Sequence, residues 1–370
     1  MDYSRDERVV MTLDAGGTNF RFSAIRGGKP VTKTLGFSSH GDNLDRCLAT
    51  LREGFDGIRS LCPTPPVAIS FAFPGPADYP AGIIGDLGNL PAFRGGVALG
   101  PMIAKQFGIP VFLNNDADLF AYGEAIGGFL PYVNSLLEKS GQRKRCRNLI
   151  GITLGTGLGG GVVRNGELFL GDNSIAAEVW LMRNKLHPGM NAEQNASIRG
   201  IRRVFAEKSG MRFADAPEPK QIFEIGTGSV PGNREAATEA FRQLGEVLGD
   251  VLGQALTILD GLVVIGGGLS GSWPLFMPAV MKELNGTYTD FEGKTFSRLA
   301  SKPFNLEEPT DLEKFLRGEA REVVVPGSSE RISYDPLQRV GIGISRLGTS
   351  EAVAVGAYAF ALSKLNESAR

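Results

Sequence analysis

Residues Val9 to Val31 (VVMTLDAGGTNFRFSAIRGGKPV) and Leu149 to Phe169 (LIGITLGTGLGGGVVRNGELF) repeat one design: an apolar strand, a glycine-rich turn, a second strand and a tight hairpin. The registers coincide, because Gly28 follows Thr18 by ten positions and Gly166 follows Thr156 by ten. Equal spacing at two places in one chain points to duplication of a structural unit. Glycines at a strand end let backbone N–H groups converge on an anion, and a threonine hydroxyl adds a donor. Each Gly-Thr turn is therefore a candidate phosphate nest, and the pair suggests a clamp on a polyphosphate. The competing reading is a pair of ordinary glycine-rich hairpins.

The chain has 370 residues, more than one hydrophobic core usually serves, so two domains are expected. A formal net charge of -1 lacks the cationic footprint of non-specific nucleic-acid binding and leaves small molecules as the expected partners. The three cysteines, Cys47, Cys62 and Cys146, are too scattered for a disulfide framework or a CxxC site, which suits a reducing cytoplasm. No apolar run approaches the ~20 residues of a membrane span, and no export signal is expected. With His40 and His187 the only histidines, carboxylates must carry any acid–base chemistry.

Strands are expected at Val9–Leu13, Phe20–Ile25 and Val31–Phe37, a helix from Asn43 to Leu61, and a buried strand from Val67 to Phe73 that ends at Pro74-Gly75-Pro76. A short helix from Gly100 to Phe107 leads to the strand Val111–Leu113, and Asn114-Asn115-Asp116 follows at once. Asp116 then stands at a strand's carboxyl end, at or next to the N-cap of a helix from Ala117 to Ile126, where α/β sheets hold ligands. Pro131 to Asn148, with Lys139, Arg143, Lys144, Arg145 and Arg147, reads as a solvated basic loop. In the second half, helices are expected at Ser197–Lys208, Asn233–Leu259 and Trp273–Leu284, with the strand Leu262–Ile265 running into Gly266-Gly267-Gly268. Asn285 to Glu330 reads as an extended polar insertion. A closing helix, Ser350 to Leu365, carries Ala352, Ala354, Gly356 and Ala357, small residues that permit close packing, and could return to the first domain.

Two GxGxxG patterns occur, at Gly155, Gly157 and Gly160 and at Gly266, Gly268 and Gly271. The first is followed by a hairpin where a dinucleotide site needs a helix, and the second lacks a following parallel strand that ends in an acid. Neither turn has a Walker A lysine, which excludes a P-loop.

Taken together, LDAGGTNFR, NND at a strand end, LGTGLGGGVVRNGEL, a following glutamate and VIGGGLS resemble the ROK family of sugar kinases, relatives of actin, hexokinase and Hsp70. The resemblance runs from Val9 to about Leu284 and includes the last helix. It implies an α/β fold of two ribonuclease H-like domains around a central cleft: 1–122 plus 350–370, and 123–349 with insertions near 131–147 and 285–330. It further implies ATP and Mg²⁺, with Asp14, Gly16, Gly17, Thr18 and Asn19 as the first phosphate turn and Asp14 holding magnesium mostly through water. Gly155, Thr156, Gly157 and Gly159 match the second phosphate turn, and Gly266, Gly267, Gly268 and Leu269 the adenosine turn. Asp116 matches the catalytic base; Asn89, Asn115, Asp116, Glu178 and Glu193 fall at sugar-binding positions. The resemblance leaves room for a homodimer.

The departures lie on the sugar side. The family's Glu-x-Gly-His stands here as Glu178-Val179-Trp180-Leu181, and no cysteine follows Cys146, so the family's zinc motif is missing and no zinc is expected. Trp180 could offer a sugar platform or pack in the core, and His187 reads as a surface residue with a substitute sugar contact as the alternative. The implied activity is transfer of the ATP γ-phosphate to a hydroxyl, at C6, of a hexose or N-acetylhexosamine. The rivals are a catalytically idle sugar-binding protein and a regulator; the latter is disfavoured because the first phosphate strand begins by Val9, before which no helix-turn-helix fits.

Overall fold

The computed structural model describes residues 3, 5–15, 18–87 and 90–369. They divide into two compact units, Met1–Pro131 with Gly161–Ala177 and Ser345–Arg370, and Tyr132–Gly160 with Glu178–Ile344. In chain order the first stretch contains β1 (Val10–Ala15), β2 (Asn19–Arg26), β3 (Lys29–Pro30), β4 (Leu35–Ser38), α1 (Leu44–Leu61) and β5 (Ala68–Ala72). The small pair β6 (Ala77–Asp78) and β7 (Ile83–Ile84) precedes α2 (Leu99–Phe107), β8 (Val111–Asn114), α3 (Asp116–Ile126) and α4 (Phe129–Lys139). Within the expected third strand, Val31–Phe37, only β4 forms; β3 lies just before it, and both pair with β2.

The first sheet runs β3-β2-β1-β5-β8, with β4 also on β2. β1 is antiparallel to β2 from Val10↔Ile25 to Ala15↔Phe20, whereas β1, β5 and β8 are mutually parallel, so their carboxyl ends share one edge. α1 starts where the Asn43 side chain accepts from the Arg46 N–H, and it buries Cys47, Leu51, Phe55 and Ile58, the i, i+4 stripe of a core-facing helix. Phe55 meets Phe22 and Phe71 at ring separations of 5.0 and 5.7 Å. Gly54 lets the Phe22 ring lie against the α1 backbone, since a Cβ there would stand 2.2 Å from it.

The second stretch continues with β9 (Leu149–Leu154), β10 (Leu158–Arg164), β11 (Glu167–Leu168), α5 (Ile198–Ser209), α6 (Pro219–Thr227), α7 (Arg234–Leu259), β12 (Leu262–Gly266) and α8 (Trp273–Leu284). It ends with the hairpin β13 (Thr287–Thr289) and β14 (Thr295–Ser297), then β15 (Lys302–Asn305), α9 (Pro309–Arg317), the hairpin β16 (Arg321–Val324) and β17 (Arg331–Tyr334), β18 (Arg339–Ile344) and α10 (Thr349–Ser368). The sheet order is β11-β10-β9-β12-β18-β15, again a hairpin-led set followed by parallel strands. The repeat of β2-β1-β5-β8 in β10-β9-β12-β18 is the duplication that the two Gly-Thr stretches announce, and each unit is ribonuclease H-like. On the core side, α7 buries Phe241, Leu244, Leu248 and Leu252, among other residues.

Three expectations need correction. Residues 131–139 are helical within α4, and only the following loop is irregular; Asn134 ties it back, its amide donating to Cys146 O at 2.9 Å and accepting from Cys146 N at 2.8 Å. Residues 285–330 are not wholly an insertion, because β15 lies in the sheet, parallel to β18. The expected break after 122 differs from the observed one at 131/132, and the expected return at 350 from the observed 344/345.

Within the first unit, a buried carboxylate ties the two ends of its chain together. Glu124 accepts from Phe129 N at 2.7 Å, from Arg346 N and Leu347 N at 3.1 Å each, and from the Ser345 hydroxyl. It thereby fixes the end of α3 to the segment that enters α10. α10 then packs on α3 at backbone contact: a Cβ on Gly356 would lie 1.9 Å from Leu119 O, and one on Gly123 would lie 1.9 Å from Ala352 O.

Candidate functional site

In the first unit the parallel strands deliver carboxylates to one sheet edge. Asp14 lies in the last turn of β1 before Ala15, exposed, and Asp116 stands two residues past the end of β8. Asn115 is the N-cap of α3, its Oδ1 accepting from Ala117 N at 2.8 Å, while Asp116 Oδ1 accepts from the same N–H at 2.9 Å. Asp116 is thus the first helical residue, directly after the cap. Water reaches it. Desolvation by the surrounding protein nonetheless raises its carboxyl above the usual aspartate value, opposed by the Ala117 and Asp116 N–H groups and reinforced by the charge of Asp14. Thr18 and Asn19 are exposed just beyond the first turn, with the Asn19 amide donating to Thr18 Oγ1 at 3.2 Å. Gly16, Gly17 and Asn89 lie outside the described residues.

In the second unit the two other glycine turns meet. β9 and β12 are parallel neighbours, in register from Leu262↔Leu149 to Gly266↔Thr153, so their carboxyl ends lie side by side. Leu269 N donates to Leu154 O at 3.1 Å, joining the turn after β12 to the end of β9. Gly267 has φ +88° and would place a Cβ 2.2 Å from Leu154 O, so both conformation and space demand glycine there. Gly155 N donates to Gly157 O at 3.0 Å, closing a tight turn with Thr156 exposed. A Cβ on Gly155 or on Gly268 would meet nothing within 4 Å, so these faces of the turns are open to a ligand. Gly159 lies in β10 and Gly266 closes β12.

Two of the residues expected to hold sugar, Glu178 and Glu193, lie on the 178–197 segment. Glu178 is half-buried, and its Oε2 accepts from the Trp180 indole N–H. Trp180 is partly buried and packs against the core of this unit, the core placement weighed from the sequence. Leu181 is 59% exposed, with no partner in the role of the family histidine. His187 is an exposed loop residue. Glu193 Oε2 accepts from Leu158 N at 3.1 Å, directly after the Gly155–Gly157 turn.

Asn184 organises this loop, a residue the motifs do not mark. It is fully buried; its amide donates to Asn191 O at 3.2 Å and Asn195 Oδ1 at 2.7 Å, and its oxygen accepts from Leu186 N at 3.0 Å and His187 N at 3.1 Å. Asn195 passes the network on to Gln243 Oε1 at 3.1 Å. One fully satisfied amide thus pins both arms of the loop. Asn-rich composition between Asn184 and Asn195 is the only sequence signal for it. Among the described residues no group of three or more His, Cys, Asp or Glu is placed to hold a metal ion. Magnesium asks for less, one or two carboxylates together with water and phosphate oxygens, and the exposed Asp14 carboxylate suits it.

A cavity of about 680 Å³ lies on α5, α7 and α8, lined by residues such as Lys208, Glu239, Arg242 and Leu275. None of its lining residues belongs to the glycine turns or the carboxylate sites, so it is kept apart from them. No helix among the described residues is long and apolar enough to cross a membrane.

Comparison with known proteins places the chain in a family. The model of the ROK family matches residues 10–302. A glucokinase of Thermotoga maritima is 29% identical over 312 residues, which is 79% of this chain and 92% of that protein. Among solved structures, a glucokinase from Parabacteroides distasonis superposes with a TM-score of 0.88 at 53% identity, covering 98% of this chain and 99% of its own. A ROK glucokinase from Streptomyces griseus, solved with glucose and AMPPNP, superposes with a TM-score of 0.58 at 19% identity over 94% and 98% of the two chains, a likeness of fold.

Proposed function

The chain belongs to the ROK family, and on that premise we propose that it transfers the γ-phosphate of ATP to a hydroxyl, at C6, of a hexose or N-acetylhexosamine, with Asp116 as general base. At the coarser level it is a carbohydrate kinase, as its relatives are. The observation that carries the finer reading is Asp116: a water-accessible carboxylate at the ligand edge of a parallel sheet, with its proton affinity raised by desolvation. A raised pKa makes the carboxylate a better proton acceptor.

The other expected site residues take the following roles in this reading. The Asn115 oxygen is engaged by Ala117 N, which leaves its NH₂ to donate to a sugar oxygen. Glu178 and Glu193 accept sugar hydroxyls, and Asn89 is proposed as a further sugar contact. In this reading Gly155–Gly159 would offer backbone N–H groups and the Thr156 hydroxyl to the phosphates and Gly266–Leu269 would receive the adenosine, with Gly16, Gly17, Thr18 and Asn19 proposed as further phosphate contacts. Asp14 would hold a hydrated magnesium ion, which would supply charge neutralisation at the transferring phosphoryl group. Asp116 takes the hydroxyl proton as the oxygen attacks in line, and most of the rate comes from positioning. The free Cys47, Cys62 and Cys146 fit the proposed cytoplasmic location.

Leu181 favours a second reading, an idle sugar-binding protein that retains the fold. An ADP-release assay over a panel of hexoses and N-acetylhexosamines separates the two. Turnover with one of them is expected; binding of a sugar without turnover on any would select the idle protein.

A further inference from the structure

The second glycine turn is braced by a side chain from the substrate loop. Glu193 lies in the 3-10 turn Ala192–Gln194, and its Oε2 receives the Leu158 N–H at 3.1 Å. A Cβ on Gly157 would stand 2.6 Å from that same oxygen. Glu193 Oε1 faces the Arg199 guanidinium at 3.7 Å. The segment that carries both residues is docked on the turn: Ile198 N donates to Gly155 O at 2.9 Å, and the Ser197 hydroxyl donates to Glu193 O at 2.7 Å while accepting from Gly200 N at 3.2 Å.

The glycines of the turns therefore exist for different reasons. Gly155 and Gly268 face open space. Gly157 faces a carboxylate, and its φ is not in the left-handed region, so a Cβ there would have to displace the Glu193 carboxylate from the place where it meets Leu158 N. A carboxylate beside a phosphate turn opposes an incoming anion unless a cation offsets it, and Arg199 is positioned to do so.

We propose that Glu193 is a positioning residue that splints the second phosphate turn to the substrate loop, that Gly157 is glycine in order to admit it, and that Arg199 neutralises it. The nucleotide part of this rests on the kinase reading above; the splint itself does not.

A double-mutant cycle on the full chain tests it, with ATP affinity measured by calorimetry in the absence of sugar. Removing a charge-assisted hydrogen bond, Glu193→Ala should weaken ATP binding about tenfold or more, whereas Glu193→Gln keeps an acceptor for Leu158 N and should stay within about threefold. Gly157→Ala should weaken binding by about tenfold in the wild-type background and by less than about twofold once Glu193→Ala has removed the clashing oxygen. Equal costs of Gly157→Ala in both backgrounds would overturn the proposal, because Gly157 would then be glycine for the ligand. So would an unchanged ATP affinity in Glu193→Ala with only the sugar KM raised. Hydrogen exchange at the Leu158 amide, read without nucleotide, should speed up about tenfold in Glu193→Ala and not in Glu193→Gln. Wild-type protein that binds no ATP defeats the kinase reading alone, and unchanged Leu158 exchange in Glu193→Ala defeats the splint alone.

Discussion

Replacing Asp116 with asparagine should abolish turnover and at the same time stabilise the protein. The helix start is insensitive to the change, because Ala117 N already has Asn115 Oδ1 at 2.8 Å and an Asn side chain keeps the second acceptor that Asp116 Oδ1 supplies at 2.9 Å. What is lost is the proton acceptor: general-base assistance accounts for about 100-fold to 10,000-fold in kcat, or roughly 2.7 to 5.5 kcal/mol of barrier. What is gained follows from the raised carboxyl. Desolvation raises the folded-state pKa of Asp116 above its unfolded value, so the ionised side chain costs stability at every pH above the folded pKa. Below the unfolded pKa, about 4, both states are protonated and the cost vanishes. Asp116→Asn should therefore melt higher than wild type at pH 7, with the gap closing as the pH falls through the folded pKa toward 4. Wild-type activity should decline over the same acid range as the base is protonated. The assays are ADP release under saturating substrates and thermal denaturation at several pH values. A variant with kcat within about threefold of wild type would remove Asp116 from the chemistry, and one that melts lower at pH 7 would refute the desolvation argument.

Four further outcomes are expected. Asn184→Ala orphans the buried partners of that amide, at about 1 to 3 kcal/mol each, and should lower stability by at least about 2 kcal/mol in denaturant unfolding and open residues 182–195 to limited proteolysis; a change under about 0.5 kcal/mol would show that the loop is held elsewhere. Gly267→Ala, forced into φ +88° and 2.2 Å from Leu154 O, should destabilise the fold by a few kcal/mol, while Gly268→Ala, with nothing within 4 Å, should fold normally and weaken only nucleotide binding. Similar melting points for the two variants would contradict the steric distinction. Glu178→Ala should raise the sugar KM at least about tenfold, and unaltered sugar kinetics would place the substrate elsewhere. Elemental analysis of protein purified without chelator should find well below one zinc per chain, and a stoichiometric zinc signal would reverse that expectation.

The sequence determined whatever depends on local pattern. The two Gly-Thr hairpins, the strand ends that carry Asp14 and Asp116, a helix start at or near Asp116 and the long α7 are all written in short-range periodicity, glycine placement and capping chemistry, while the structure gives the cap itself to Asn115. Tertiary structure decided what depends on partners distant in the chain. β18, with glycines at 341 and 343, looks like a weak strand beside a polar stretch, yet it lies between β12 and β15, and Gly341 is needed because a Cβ there would sit 2.4 Å from the Leu306 side chain. Glu193 matches a sugar-binding position by motif, and only folding places its carboxylate on Leu158 N, 35 residues away. Asn184 carries no motif at all, since a buried amide acquires its role from the four groups that the fold closes around it. Local propensity is set by neighbours within a helical turn or a strand pair, whereas parallel pairing and side-chain splints are rewarded only after long loops have closed, so nothing nearby in the chain encodes them.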